Sequence, residues 1–576
     1  MSGSTKRRSR ALLLVAIILV VSAVAVVASR RSLRSPPNVL LITLDTVRAD
    51  HLGCYGAGEA DTPTLDRLAH GGVRFDRAYS SAPLTLPAHA SLMTGLQPLT
   101  HGLTDNGMRA SRFPVDTLAE RVREAGYDTA AFVAAFVLHS THGLDRGFNH
   151  YDDGPDEAGG VFRMFRGTAP ASERVDRLLE WLRLPRKAPF FAWLHLYDAH
   201  APYLPPEGFA KRFASHPYDG EIAYVDSQLA RIVAYLERGN LLDNTLIVVT
   251  ADHGEGLGEH GEVTHGVFLY DATLRVPLIM SWPGRLASRV ETEPAALVDV
   301  MPTLLGLLDL APQPLTHGAD LFAPAAKSPP WRFFSYSNYP HRQYGWAVLA
   351  ALRRGGLKYI DAPHPELYDT GKDPAELTNL LDRGSRIDSG AQLGDAVSIA
   401  VSELSAQAIP AQVDAKMDPQ QRQRLQSLGY LAGHDVELSG DETPIDPKDG
   451  LRTLGPIDTA FEALANGRLA QAESLFHESL LAAPHSLTAQ DGMARTLELL
   501  GREAEAEQLH EHILSVDPDA VLSLARLVEM RTRRGDCASA APPADRLKLL
   551  LHDTKDVDLR LSRCRPPPAA IDPPSR

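Results

Sequence analysis

The sequence predicts an α/β fold, a mostly parallel sheet sandwiched by helices, followed by an all-α region of helical repeats. Three observations carry that reading. From Asn38 onward, short apolar runs alternate with amphipathic stretches, as a succession of strands and crossover helices requires. Three of those runs, residues 39–44, 190–194 and 246–251, lead into residues of metal-ligand type: Asp45; His195, Asp198 and His200; Asp252 and His253. Ligands of open α/β sheets gather at the carboxyl edge of the strands, so positions some 200 residues apart can meet there. The third observation is a 34-residue period in the last third of the chain.

A chain of 576 residues is too long for one core and suggests two to four units. Hydrophobic residues at 44% and charged residues at 23% exclude bulk disorder, collagen-like repeats and a polytopic membrane protein. Three cysteines, Cys54, Cys537 and Cys564, are too few and too scattered for a disulfide framework or a thiolate metal site. The net charge is −14, and the first 34 residues hold seven of the basic residues and no acid, so the remainder is more acidic still. That balance argues against nucleic acid as a partner. An anionic substrate would need a local positive centre, such as a metal.

Residues 1–37 form the basic N-terminus. Residues 11–29 carry no charge and are flanked by Lys6, Arg7, Arg8 and Arg10 on one side and Arg30, Arg31 and Arg34 on the other. At about 1.5 Å per residue they nearly span a hydrocarbon core. A membrane anchor is expected, with the catalytic domain exported to the periplasmic or extracellular side; a cleaved signal peptide usually has a shorter apolar region.

Residues 38–380 form the expected catalytic domain. Within it, Pro87 suits a first helical turn and Gly95 a helix stop, which puts Thr85 at a helix N-terminus. Taken alone, a threonine there is a cap. The free N–H groups and the positive end of the dipole also favour a hydroxyl that loses its proton. His101, His139, His142 and His260 fall in polar loops and are expected at the surface, and Glu255, Glu259 and Glu262 in a solvated acidic loop. The glycines at 254, 256, 258 and 261 lack the spacing of a dinucleotide fingerprint.

Residues 381–454 lose the strand pattern and are expected to be linker and helix. In residues 455–540, Gly467, Ala470, Ala472, Leu475, Leu480 and Pro484 recur as Gly501, Ala504, Ala506, Leu509, Leu514 and Pro518, and Gly535, Ala538 and Ala540 begin a third copy. Small residues where two helices cross, and proline after the second, resemble tetratricopeptide repeats. Such repeats are expected to be separable from the enzyme and to offer a protein partner a surface. Residues 541–576, with prolines at 542, 543 and 566–568, are expected to be a disordered tail.

Over residues 38–380 the motifs resemble the sulfatase family of the alkaline phosphatase superfamily. NVLLITLDTVRADHLGCYG at 38–56 is similar to its first strand and metal loop, and TPTLDRL at 62–68 to the segment that follows. TLPAHASLMTG at 85–95 is similar to the nucleophile signature, DHGE at 252–255 to the late metal motif and ELYD at 366–369 to the closing segment. The resemblance implies that Asp45, Asp252 and His253 hold a divalent metal that binds Thr85. It implies that His200 contacts the ester or leaving group, that His265 stands near a lysine position, and that Asp198, His200 and His265 could supply a second metal as in two-zinc phosphodiesterases.

The departures bear on chemistry. Sulfatases carry Cys or Ser at the position of Thr85, for conversion to formylglycine, and Arg at that of His89. Threonine cannot become that aldehyde, but serves directly as nucleophile in related phosphodiesterases, and His89 could bind non-bridging oxygens. The family's metal loop usually has two adjacent acids, whereas Thr46 follows Asp45 here. Mixed Asp and His ligation suits Zn²⁺, as one or two ions, better than Ca²⁺. The expected function is a metal-dependent ester hydrolase with a threonine nucleophile, acting on phosphodiesters or phosphonate monoesters. Sulfate-ester hydrolysis, phosphoalcohol transfer to an envelope component and a non-catalytic repeat scaffold are the alternatives.

Overall fold

The computed structural model describes residues 36–110, 112–154, 170–201, 203–323, 330–383, 388–408, 444–465, 467–482, 486–516, 518, 520–550, 557 and 561. Its main sheet contains β1 (Asn38–Leu44), β2 (Val73–Tyr79), β3 (Asp128–Phe132), β4 (His150–Asp152), β5 (Phe190–Leu196), β6 (Thr245–Ala251), β7 (Arg275–Ser281), β8 (Arg289–Glu291) and β9 (Ala295–Ala296). The order is β4-β3-β5-β1-β6-β7-β2-β8, with β9 also paired to β2. The pairings are parallel except where β7 meets β6 and β2. Helices flank the sheet, and β1, β5 and β6 are buried along their whole length. That is why they appear in the sequence as unbroken apolar runs rather than alternating ones.

The three strands that lead to metal-type residues are neighbours. β1 pairs with β5 on one side and β6 on the other, with Leu44 opposite Leu196 and Ala251, so their carboxyl ends share one edge. Asp45, Asp252 and the end of β5 are thereby brought together from three distant parts of the chain.

A second sheet, antiparallel, runs β10 (Phe334–Ser337), β11 (Leu349–Arg354), β12 (Leu357–Asp361) and β13 (Glu366–Asp369). The helix Asp388–Ala406 buries Leu393, Val397, Ala400 and Leu404 against Phe334, Leu352, Tyr359 and Leu367 of this sheet. The expected linker after residue 380 therefore contains a helix that belongs to the catalytic unit. Its apolar spacing of three to four residues needed a partner face, and the small sheet supplies it.

Six helices follow among the described residues: Pro447–Ala465, Leu469–Ala482, Leu487–Leu499, Glu503–Val516, Val521–Arg533 and Cys537–Leu550. Gly467, Gly501 and Gly535, 34 positions apart, follow the first, third and fifth, each at φ between 70° and 78°. That conformation favours glycine and ends a helix. Pro542 and Pro543, expected in a tail, lie inside the last helix, which buries Ala544 and Leu547 against Leu524 and Val528.

The helical region packs on the catalytic domain. Ile457 and Ala489 share one hydrophobic cluster with Val267, Phe268, Leu269, Tyr270 and Trp346 of the catalytic domain. Lys448 Nζ also reaches Glu366 Oε1 at 2.6 Å.

The expected membrane anchor and exported location require correction. Among the described residues no helix is long and apolar enough to cross a membrane, and residues 11–29 lie outside them.

Candidate active site

The helix Thr85–Thr94 follows an extended Leu84, and Gly95 closes it at φ 71°. Thr85 is the first helical residue and makes no capping bond. Its buried hydroxyl instead points into the site: Oγ1 donates to Asp45 Oδ2 at 3.4 Å and stands 3.4 Å from His253 Nε2. The bland reading of a capping threonine does not hold.

Asp45, Asp252 and His253 are fully buried, and their ligand atoms all lie within 4.8 Å of one another. Asp252 Oδ1 accepts from the backbone N–H groups of Thr46 and His253. His253 donates from Nδ1 to the Gly254 carbonyl at 2.9 Å, which leaves its Nε2 lone pair toward Thr85 and Asp252. Asp45 Oδ1 and Asp252 Oδ2 have no hydrogen-bond partner among the described residues. Two buried acceptor oxygens without donors, beside an imidazole lone pair, are what a cation would satisfy. Burial raises both carboxyl groups from their usual range, and for Asp252 the neighbouring Asp45 adds to it. His253, which burial alone would push down, is raised by Asp252 and Asp45. A divalent ion would relieve the repulsion between the Asp45 and Asp252 carboxylates, so the residues fit one.

Thr46 has φ 59°, a left-handed backbone that a β-branched residue rarely adopts. Its amide is held by Asp252 and its carbonyl accepts from Tyr218 Oη at 2.7 Å, while its buried Oγ1 has no partner. Strain of this kind collects at functional sites.

His200 donates from Nδ1 to the Ala201 carbonyl at 2.7 Å, leaving a buried Nε2 without a partner. Its ring stands edge-on to His265, centroids 4.9 Å apart, and His265 is 4.4 Å from His253. His265 Nδ1 bonds Glu255 Oε1 at 2.8 Å, and Glu255 Oε2 accepts from Tyr203 Oη. Burial lifts Glu255 to about 7 and lowers His200 to about 4.

Thr85, Asp45, Asp252, His253, His200 and His265 thus converge. Asp198 does not join them: its Oδ1 accepts from Ala171 N at 3.0 Å, and burial raises it to about 6. His89 is fully buried, with Nδ1 on the Thr85 carbonyl at 2.7 Å and Nε2 on Thr43 Oγ1 at 2.9 Å, so both ring nitrogens are engaged within the protein.

Other expectations fail. Glu255 and Glu262 are buried, not solvated, Glu262 holding the amides of Val267 and Phe268. His101 and His142 are buried too, bonded to Ser91 Oγ and the Met108 carbonyl. Sequence reasoning missed Asn106, whose Oδ1 accepts from Leu86 N at 2.8 Å beside the nucleophile position and whose buried Nδ2 has no partner. Its flanking turn residues, Asp105 and Gly107, look like any loop, and no local signal singles it out.

The fold and site are those of an ester hydrolase with residues that could hold a metal ion. Residues 37–310 match the family model for sulfatases, and residues 258–398 match the model for the C-terminal part of N-sulphoglucosamine sulphohydrolase. Human arylsulfatase A is 27% identical over 465 residues, covering 66% of this chain and 89% of that protein. The arylsulfatase of Clostridium perfringens is 24% identical, covering 60% and 90%. Among solved structures, the phosphonate monoester hydrolase of Agrobacterium radiobacter superposes with a TM-score of 0.54 at 25% identity, covering 65% of this chain and 96% of that one. Over residues 37–398 the chain belongs to the sulfatase family, whose members use a divalent metal.

Proposed function

We propose that the chain hydrolyses phosphonate monoesters or phosphodiesters with Thr85 as nucleophile. The observation that supports this is the placement of Thr85: at a helix start, free of capping, with Oγ1 equidistant at 3.4 Å from an acceptor oxygen of Asp45 and the lone-pair nitrogen of His253. Asp45, Asp252 and His253 would hold the ion, which when bound lowers the pKa of a neighbouring hydroxyl and offsets the charge of an anionic ester. A nitrogen donor in the set, and Thr46 where a second acid would stand, favour Zn²⁺ over Ca²⁺.

Thr85 Oγ forms the bond to phosphorus as the bond to the leaving oxygen breaks, and the hydroxyl proton leaves along the contact to Asp45 Oδ2. His200 Nε2, unpartnered, and His265, backed by Glu255, are the groups available to exchange a proton with the leaving oxygen. Asn106 Nδ2 is a preorganised donor for a non-bridging oxygen. Water then attacks the threonyl ester and frees Thr85. The neighbouring phosphonate monoester hydrolase is consistent with this substrate class.

Sulfate-ester hydrolysis is the second reading, favoured by the arylsulfatase relatives. The 34-residue recurrence of helix-ending glycines supports tetratricopeptide-like repeats in the C-terminal region.

The test is a panel of aryl phosphonate, phosphodiester, phosphomonoester and sulfate esters, run with wild type, Thr85→Ser and Thr85→Ala. The phosphorus esters should lead, Ser should retain activity, and Ala should lose several orders of magnitude. Mass spectrometry should find a phosphoryl or phosphonyl adduct on the Thr85 peptide. Sulfate esters leading the panel would establish the second reading, and full activity in Thr85→Ala would exclude a threonine nucleophile.

A further inference from the structure

The pairing of β1 with β5 sets Thr43 opposite His195, and Asp45 follows two residues beyond Thr43. His195 is fully buried, and both its ring nitrogens are engaged. Nδ1 lies 3.3 Å from the backbone nitrogen of Ala134, and Nε2 lies 3.1 Å from Asp45 Oδ2. A backbone N–H can only donate, so Nδ1 must present its lone pair, and the single proton of a neutral imidazole is then on Nε2. Nε2–H therefore donates to the carboxylate and has no lone pair to give a metal.

This decides between two uses of the same cluster. His89, His195 and Asp252 also bring ligand atoms within 4.8 Å of one another, as a second ion would need. His89 is spent in the same way. Its Nδ1–H donates to the Thr85 carbonyl, which can only accept, and its Nε2 accepts from the Thr43 hydroxyl. Thr43 Oγ1 in turn accepts from Trp193 Nε1 at 3.0 Å. These contacts form a continuous hydrogen-bonded layer from β5 through β1 to the nucleophile helix, with every imidazole nitrogen in it already used.

We propose that His195 is a positioning residue for the metal centre: by donating from Nε2 to Asp45 Oδ2 it holds Asp45 so that Oδ1, the oxygen without a partner, is the one offered to the ion. The proposal rests on the metal-centre reading of the site. The hold matters because Thr46, not a second acid, follows Asp45, so one carboxylate must be aimed by its neighbours rather than backed by another. Partners that orient a ligand in this way typically change metal affinity by roughly 10–100-fold when removed.

The test uses the full chain. A long-range ¹H–¹⁵N spectrum of the metal-free protein should show His195 protonated at Nε2 and not at Nδ1. Zn²⁺ titration against a chromophoric chelator should give the same stoichiometry in wild type, His195→Gln and His195→Phe. His195→Phe, which removes the donor, should bind roughly 10–100-fold more weakly, and His195→Gln, which keeps an N–H donor, should recover most of that loss. If His195→Phe does not fold, the wild-type spectrum and the His195→Gln affinity carry the test. An Nδ1–H tautomer at His195, or the loss of one metal equivalent in both variants, overturns the proposal and makes His195 a ligand. A wild-type chain that binds no divalent ion overturns the metal centre itself, and His195's role with it.

Discussion

Trp346 packs against Gly450 so closely that a Cβ at position 450 would collide with the indole ring. The contact joins the catalytic domain to the helix Pro447–Ala465. It belongs to the cluster containing Val267, Phe268, Leu269 and Tyr270, which begins two residues after His265. Helical region and active-site loop are thus packed on one another. Gly450→Leu should lower stability by about 1–3 kcal/mol, as overpacking does. It should also shift Trp fluorescence and reduce turnover, while a truncation after residue 446 should do so more strongly. Unchanged turnover in a folded truncation would restore the picture of independent units.

The metal centre makes a second prediction. Asp252→Asn or His253→Ala removes one donor from a set of three, so bound metal should fall below detection in the dialysed protein. In wild type, adding Zn²⁺ to the metal-free chain should raise the melting temperature, because the ion binds the folded arrangement and not the unfolded one. Full occupancy in either variant would mean that the ligands lie elsewhere.

Three buried carboxyl groups should each withdraw stability from the metal-free chain as pH rises. Burial raises Asp198 to about 6, Glu255 to about 7 and Glu262 to about 8. Each folded-state value lies above its unfolded value, so these three groups hold more protons in the folded chain, and the stability they contribute is lost as pH climbs from roughly 4 through 8. Glu262→Gln keeps an acceptor for the Val267 and Phe268 amides and should flatten the upper part of the decline, measured by denaturant unfolding. A curve of the same slope in the variant would remove Glu262 from the account.

Asn106 can be divided into its two functions. Asn106→Asp keeps the oxygen that accepts from Leu86 N but loses the amide donors. Loss of one preorganised donor to a developing oxyanion should lower kcat by about 10²–10³-fold with the melting temperature little changed. Equal activity in Asn106→Asp would assign the residue to helix support alone.

Much of this molecule was legible in sequence because it is encoded locally. The fully buried β1, β5 and β6 announce themselves as apolar runs, Pro87 and Gly95 bracket the nucleophile helix, and glycines 34 residues apart mark where helices must stop. The residue types at the strand ends gave Asp45, Asp252 and His253 for the same reason. What only tertiary structure decided is which atom of each group is free. His195 and His253 are the same residue type, yet the amide of Ala134, 61 positions away, protonates one ring on Nε2, and the adjacent Gly254 carbonyl leaves the other with its Nε2 lone pair. Glu255 and Glu262 sit in a glycine-rich, charged stretch that composition assigns to solvent, and they are buried because Tyr203, His265 and the amides of residues 267 and 268 close over them. A hydrogen bond forms where donors and acceptors meet in space, and in this site the partners come from strands up to 206 positions apart. Periodicity over a few residues carries no record of such meetings.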